Sequence, residues 1–371
     1  MKILITGSNG FIGKNLVIRL KEIGKYQIIN FTKKNNLTYL KKHITDDVDL
    51  IVHLAGENRP KDTEMFEKTN IGLSNDICEI VAKTGRNIPI IFSSSTQALD
   101  KNPYGQSKLA AEKLFNNLAV NYGVTILAIR LCGVFGKWSK PNYNSVISTW
   151  CFNAVNDLPI DINNPDDSLN LLYIDDVVEM VINQINSIDS YKGFNLIENH
   201  KVYKKKLIDI ANLIKSFANS RENIKIEQVG SGFKRALYST YLSYIKPEDF
   251  KYKLHQNIDR RGSFVEMLKT SDSGQFSFFT AHPGITRGGH YHHTKSEKFL
   301  VIKGSARFCF RNIDTNETYE LTTSDELPEV VETIPGWSHD ITNIGDKDMI
   351  VMLWANEVFN KNKPDTISYK T

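Results

Sequence analysis

The chain has little that would tie it to a membrane, a disulfide framework or a polyanion. No apolar run in its 371 residues reaches the ~18–20 residues that a membrane span needs. The opening MKILITG reads as a strand, not as a charged segment followed by an apolar one, so no secretory leader is expected. Cysteine is scarce: Cys78, Cys132, Cys151 and Cys309 show no paired spacing and sit among apolar neighbours, which predicts buried free thiols in a reducing cytoplasm. Charge of one sign is scarce as well. The 46 basic and 42 acidic residues leave a net +4, which argues against nucleic acid as the main partner. There is no internal repeat and no low-complexity tract.

What is present divides in two. Up to about residue 195, short apolar runs (2–6, 27–31, 50–54, 88–93, 125–131, 170–174) alternate with helical stretches at 10–23, 64–83 and 105–122. Strand–helix alternation with apolar strands implies a doubly wound parallel sheet of the α/β Rossmann type, covered on both faces. Another helix is expected over about 200–225, then an irregular segment over 237–250 that marks the boundary. From Arg261 onward short β patterns follow one another, separated by turns such as Lys303-Gly304 and Pro335-Gly336, as in an all-β jelly-roll barrel. The expected domains are 1–245 and 246–371.

Gly7, Gly10 and Gly13 follow the first strand and open the first helix. Glycine there permits a tight turn, a close backbone approach to a diphosphate and close helix–sheet packing, with the anion on the helix N-terminus. Phe11 and Ile12 complete the turn, and Leu54-Ala55-Gly56 brings small residues toward the cofactor after the third strand. The second strand ends Thr32-Lys33-Lys34, without the carboxylate an NAD site would use on the ribose 2′-hydroxyl. A hydroxyl and two lysines suit a 2′-phosphate, so NADPH is expected; the alternative is a solvated lysine loop.

Tyr104 and Lys108 stand four apart at the start of a helix, which puts them on one face. The ammonium is expected to lower the phenol pKa toward working pH. Ser95, in the run Ser93-Ser94-Ser95-Thr96, can polarise a carbonyl.

GSNGFIG, HLAG, FSSS and PYGQSK together resemble the extended short-chain dehydrogenase/reductase family over about residues 1–240. The resemblance implies Ser95 as the catalytic hydroxyl, Tyr104 as the proton donor and Lys108 on the nicotinamide ribose. Asn70 in EKTNIG and the stretches around 130–136 and 173–177 resemble further signatures of that family. Thr96-Gln97 stands where the family's dehydratases carry Asp-Glu, so net reduction is expected and not elimination.

In the second half, His290 and His292 alternate along a strand, with Glu297 following and His339 in Pro335-Gly336-Trp337-Ser338-His339. Three imidazoles and a carboxylate suit zinc or another divalent first-row metal. The pattern resembles the two metal motifs of the cupin superfamily, although the second lacks its leading glycine and has its proline and glycine adjacent. Residues 259–266 and 284–290 also resemble cupin-fold nucleotide-sugar 3,5-epimerases, in which the histidine matching His290 is a general base. His290 is therefore open to three readings, ligand, base or neither, and the full set of four favours metal.

GENRP (56–60), GKWSKPNYNSVIST (136–149), LYSTYLSY (237–244), NIDRRGSFVE (257–266) and IPGWSH (334–339) resemble one bacterial family, the bifunctional capsular-polysaccharide enzymes that make the precursor of UDP-N-acetyl-L-fucosamine. That resemblance implies reduction of a UDP-2-acetamido-2,6-dideoxy-hexos-4-ulose to UDP-N-acetyl-6-deoxy-L-talosamine, with C3 epimerisation by the cupin half. Arg59, Lys137, Asn142 and Tyr143 are candidates for the sugar diphosphate. A homodimer or larger homo-oligomer is expected. The alternatives are a monofunctional nucleotide-sugar reductase or epimerase whose barrel is structural or dimerising, and a non-catalytic NADP sensor.

Overall fold

The computed structural model describes residues 1–46, 48–58, 62, 64–198, 201–259, 262–265, 267–268, 270, 274–357 and 362–371. They form two compact units, Met1–Phe135 with Asn142–Ser145 and Ser168–Lys205, and Gly136–Pro141 with Val146–Asp167 and Lys206–Thr371. No helix among the described residues is long and apolar enough to cross a membrane.

In chain order the first stretch runs β1 (Lys2–Thr6), α1 (Phe11–Ile23), β2 (Gln27–Phe31), α2 (Leu37–Asp46), β3 (Leu50–His53), the single turn α3 (Glu64–Phe66), α4 (Leu73–Thr84), β4 (Ile90–Ser95), α5 (Pro103–Tyr122), β5 (Ile126–Leu131) and β6 (Gly133–Phe135). Helix α6 (Val146–Val155) belongs to the second unit, and β7 (Ser168–Tyr173), α7 (Ile174–Asn186), β8 (Phe194–Ile197) and β9 (Tyr203–Lys206) follow it. Six strands make one parallel sheet in the order β2-β1-β3-β4-β5-β8. Side chains alternate across it. Leu4, Ile51, Ile90, Phe92 and Ala128 share a core with Ile77 and Val81 of α4 and Phe115 and Leu118 of α5. The strand order reverses at β1, and sheets of this kind bind ligands at the carboxyl ends of the strands beside such a reversal.

The second unit adds α8 (Leu207–Asn219) and α9 (Gly232–Leu242) to strands β10 (Lys251–Lys253), β11 (Gln256–Asp259), β12 (Gly262–Val265), β13 (Gln275–Ala281), β14 (Thr286–Tyr291), β15 (Glu297–Lys303), β16 (Ser305–Asn312), β17 (Thr318–Ser324), β18 (Glu329–Glu332), β19 (Trp337–Asn343), β20 (Met349–Ala355) and β21 (Ile367–Ser368). Two antiparallel five-stranded sheets result, β10-β18-β15-β20-β13 and β17-β16-β19-β14-β21, with β11–β12 as a hairpin. Phe299 of β15 and Phe308 of β16 meet at 5.7 Å between ring centroids, so the sheets face one another across an apolar core.

Two expectations need correction. The segment after Leu237 is not irregular throughout: it begins inside α9, where residues from Ala236 to Leu242 are all buried. Cys78 and Cys151 are buried, but Cys132 and Cys309 are only half-buried. Cys132 lies in the one-residue gap between β5 and β6, and Cys309 alternates along β16 with the buried Phe308 and Phe310, so it is on the strand's other face.

Candidate active sites

The glycine turn is built as the sequence implies. Gly7 has φ +68°, and a Cβ on it would stand 2.8 Å from the Ala55 backbone, so the turn after β1 lies directly on Leu54-Ala55-Gly56. A Cβ on Gly13 would lie 2.2 Å from the Gly7 carbonyl oxygen, which explains the close seating of α1. The first turn of α1 has no side-chain cap and no acidic residue. Its N–H groups therefore remain suited to an anion, and the cradle fits a dinucleotide diphosphate. Thr6 Oγ1 bonds His53 Nδ1 at 2.7 Å, and His53 Nε2 bonds Ser74 Oγ at 3.1 Å, fixing the start of the second loop. Burial first, then the charge of Lys108, lowers His53 to about 3 and keeps it neutral.

Tyr104 and Lys108 rise from the first turns of α5, whose start is capped by Asn102 Oδ1 accepting from Gly105 N at 2.8 Å. Ser95 ends β4, and its hydroxyl hydrogen-bonds Tyr104. Lys108 is 5% exposed and donates to the Ser93 carbonyl at 2.9 Å. A six-residue π-turn, Glu67–Gly72, presents buried Asn70. Its side chain takes both main-chain groups of Glu57, at 2.8 and 2.9 Å, and donates to Ser107 Oγ at 2.9 Å. Asn70 thereby ties the loop after β3 to α5. The expected lowering of the phenol pKa is absent: burial raises Tyr104 despite the Ser95 bond, and burial lowers Lys108 to about 8. Desolvation of two charged forms outweighs their proximity along the helix.

In the barrel, His290, His292, Glu297 and His339 each turn one donor atom into a cluster in which all four lie within 4.8 Å of one another. Gly288 (φ +106°) and Gly289 (φ +72°) form a bulge in β14 that sets His290 opposite His339 of β19. Glu297 Oε2 lies 3.1 Å from His292 Nε2 and 3.4 Å from His339 Nε2, and Lys295 Nζ lies 3.0 Å from Glu297 Oε1. Burial would raise Glu297, but its imidazole partners win and hold it well below the usual range. Burial, then His339 and His292, lowers His290 to about 3. Among the described residues, the Nδ1 of the buried His339 has no hydrogen-bond partner. An ionised carboxylate and three buried or half-buried imidazoles that converge on one point fit a divalent metal.

Comparison with known proteins agrees with both halves. Residues 3–196 match the NAD dependent epimerase/dehydratase family and residues 257–367 the polysaccharide biosynthesis C-terminal domain. A Pseudomonas aeruginosa protein, UDP-2-acetamido-2,6-beta-L-arabino-hexul-4-ose reductase, is 50% identical over 99% of this chain and 98% of its own. The crystal structure of the capsular polysaccharide assembling protein CapF from Staphylococcus aureus superposes over the whole of both chains, with TM-score 0.67 and 39% identity. The chain belongs to this CapF-like reductase family. A Bacillus cereus UDP-glucuronic acid 4-epimerase in complex with NAD, 19% identical with TM-score 0.53 over 59% of this chain and 84% of its own, shares the N-terminal fold.

Within this CapF-like frame the remaining candidates scatter. Arg59 lies outside the described residues. Lys137 is 1% exposed and groups with the second unit, whereas Asn142 and Tyr143 are exposed and group with the first. Tyr143 donates to Glu57 Oε2 at 3.3 Å and lies close enough to Tyr104 to add to the rise of its pKa. Thr32 is tied to Asn35 Oδ1 through its N–H (2.8 Å) and hydroxyl (3.0 Å), and Lys33 is ion-paired with Glu57, leaving Lys34 exposed. Sequence reasoning missed Glu57 as the partner of Lys33 and missed Asp365 beneath the histidine loop. Asp365 lies in no motif and Glu57 only within the GENRP stretch, which does not reveal its partner; each pairing is recognised only by what a distant segment places beside it.

Proposed function

We propose that the chain reduces the 4-keto group of a UDP-2-acetamido-2,6-dideoxy-hexos-4-ulose with NADPH, giving UDP-N-acetyl-6-deoxy-L-talosamine, and that the barrel first inverts carbon 3. The product lies on the route to UDP-N-acetyl-L-fucosamine for a capsule or O-antigen. The observation that carries the reading is the Ser95–Tyr104–Lys108 set inside a chain that matches a reductase of that ketose along its length. NADPH, when bound on Gly7, Gly10, Phe11, Ile12, Gly13, Thr32, Lys33 and Leu54-Ala55-Gly56, supplies the hydride. Ser95 Oγ holds the ketone oxygen. Tyr104, kept protonated by its burial, delivers its proton to that oxygen. Lys108 holds its ammonium beside the Ser93 carbonyl, where it orients the nicotinamide ribose. Support for NADPH is the lack of a carboxylate at the end of β2; Lys33 would exchange Glu57 for the 2′-phosphate. Arg59, Lys137, Asn142 and Tyr143 are proposed for the sugar diphosphate, with Tyr143 best supported by its place beside Tyr104.

His290, His292, Glu297 and His339 would hold the metal, zinc by preference, which supplies charge to a ketone oxygen and so acidifies the adjacent C–H bond. A cytoplasmic homo-oligomer completes the reading. Its test is Tyr104→Phe incubated with NADPH and the UDP-4-keto sugar in D2O, followed by NMR. NADPH oxidation is expected to fall by about 10²-fold or more, while deuterium still enters carbon 3. Entry should cease when His290→Ala or Glu297→Gln is added. Absence of exchange in every variant would leave a reductase with a structural barrel.

A further inference from the structure

We infer that Asp365, in the C-terminal tail, is a positioning residue of the barrel site: its carboxylate and its main-chain carbonyl together shape the loop that presents His292. This rests on the reading that the four clustered residues hold a metal. The tail runs beside the histidine strand, with Ser368 opposite His290, Ile367 opposite Tyr291, and Tyr369 N donating to the Gly289 carbonyl at 2.9 Å. Just before that pairing, Asp365 turns inward. Its Oδ1 accepts from His293 N at 2.9 Å. Its Oδ2 accepts from Thr294 N at 2.7 Å, Thr294 Oγ1 at 2.9 Å and Lys295 N at 2.7 Å. Three consecutive N–H groups of the loop, those of His293, Thr294 and Lys295, thus end on one carboxylate.

The main-chain oxygen of the same residue bonds His292 Nδ1. That bond fixes the ring so that Nε2 faces Glu297 and the cluster. An imidazole ligand held through its second nitrogen keeps one tautomer and one orientation, and loss of such a hold typically costs 10–100-fold in metal affinity. Helix α9 braces the loop from a second side, through Ser239 Oγ to the Thr294 carbonyl at 2.9 Å and Arg235, which bonds Thr294 and lies 3.7 Å from Asp365 Oδ2. The brace holds the loop in place, and among the described residues it is Asp365 that reaches both the loop amides and the ligand ring.

Asp365→Asn keeps the shape but turns an NH2 toward at least one donor. Full-length protein stripped with a chelator is titrated with Co²⁺ against a chromophoric competitor, and the cobalt absorption bands are recorded with the melting midpoint of the metal-free protein. Asp365→Asn is expected to bind Co²⁺ ~10–100-fold more weakly and with altered bands. Asp365→Glu, which retains both acceptor oxygens one methylene displaced, should fall between it and wild type, and it serves where Asp365→Asn does not fold. Affinity and bands like those of wild type in the folded variants overturn the assignment. A wild-type protein that takes up no Co²⁺ overturns the metal reading and this inference with it.

Discussion

In the proposed reaction Lys108 acts through its charge, and that same charge is costly to a buried position in the fold. Burial lowers it from 10.5 to about 8. Between those values the unfolded chain binds the extra proton, so stability must rise with pH across that window; below about 8 the cost is present in full. The whole effect is ~3 kcal/mol. Measured in urea at pH 7 and pH 10 on the cofactor-free protein, the stability difference between wild type and Lys108→Met should move toward wild type by ~2 kcal/mol on going to pH 10. A difference that does not move with pH refutes the assignment. The sign reverses for activity: loss of the ammonium should make reduction fall as pH rises past about 8, and Lys108→Met should be slower by ~10²-fold. Tyr104 does not set that limb, since burial keeps its phenol above its ordinary value.

At the scale of elements, helix α5 is placed by contacts too close for any side chain. A Cβ on Gly105 would lie 2.0 Å from the Gln97 carbonyl oxygen, in the turn after Ser95. That closeness brings the end of β4 and the start of α5 together, and with them Ser95 and Tyr104. Gly105→Ala should therefore cost about 1–3 kcal/mol by urea midpoint and lower kcat, because the helix start has to retreat. Gly72→Ala, where the nearest atom is 3.7 Å away, is the control and should be neutral or slightly stabilising. A neutral Gly105→Ala would dismiss this packing account. The sequence showed such features where the cause is local: the glycine turn, the four-residue spacing of Tyr104 and Lys108, and the alternation of His290 and His292. It hid α9, because Tyr, Ser and Thr are weak helix formers and a helix buried on every side has no polar face to give it a period. It hid Asp365 and Glu57 because their meaning lies wholly in partners that folding brings from 24 to 73 positions away.

At the scale of the molecule, the barrel does not begin where its strands begin. Helices α8 and α9 group with it, and charged contacts explain why. Glu332 of β18, 2% exposed, bonds both Lys298 of β15 and Arg221, which follows α8. Arg221 also donates to the Asp249 carbonyl, and its guanidinium lies 5.2 Å from the centroid of the Tyr252 ring. On the other flank, Arg235 of α9 pairs with Glu357 at 3.0 Å. Removing one partner from a buried charge network leaves a charge uncompensated and commonly costs 3–5 kcal/mol. A fragment of residues 246–371 loses Arg221, Arg235 and Ser239 at once. It should be markedly less soluble and melt at lower temperature than a fragment of residues 206–371, whose network is intact. Arg221→Met within the longer fragment should reproduce part of that loss, since Glu332 then keeps only Lys298. Equal melting of the two fragments would mean that the strands alone make the folding unit, and the helices would then be passengers on the barrel.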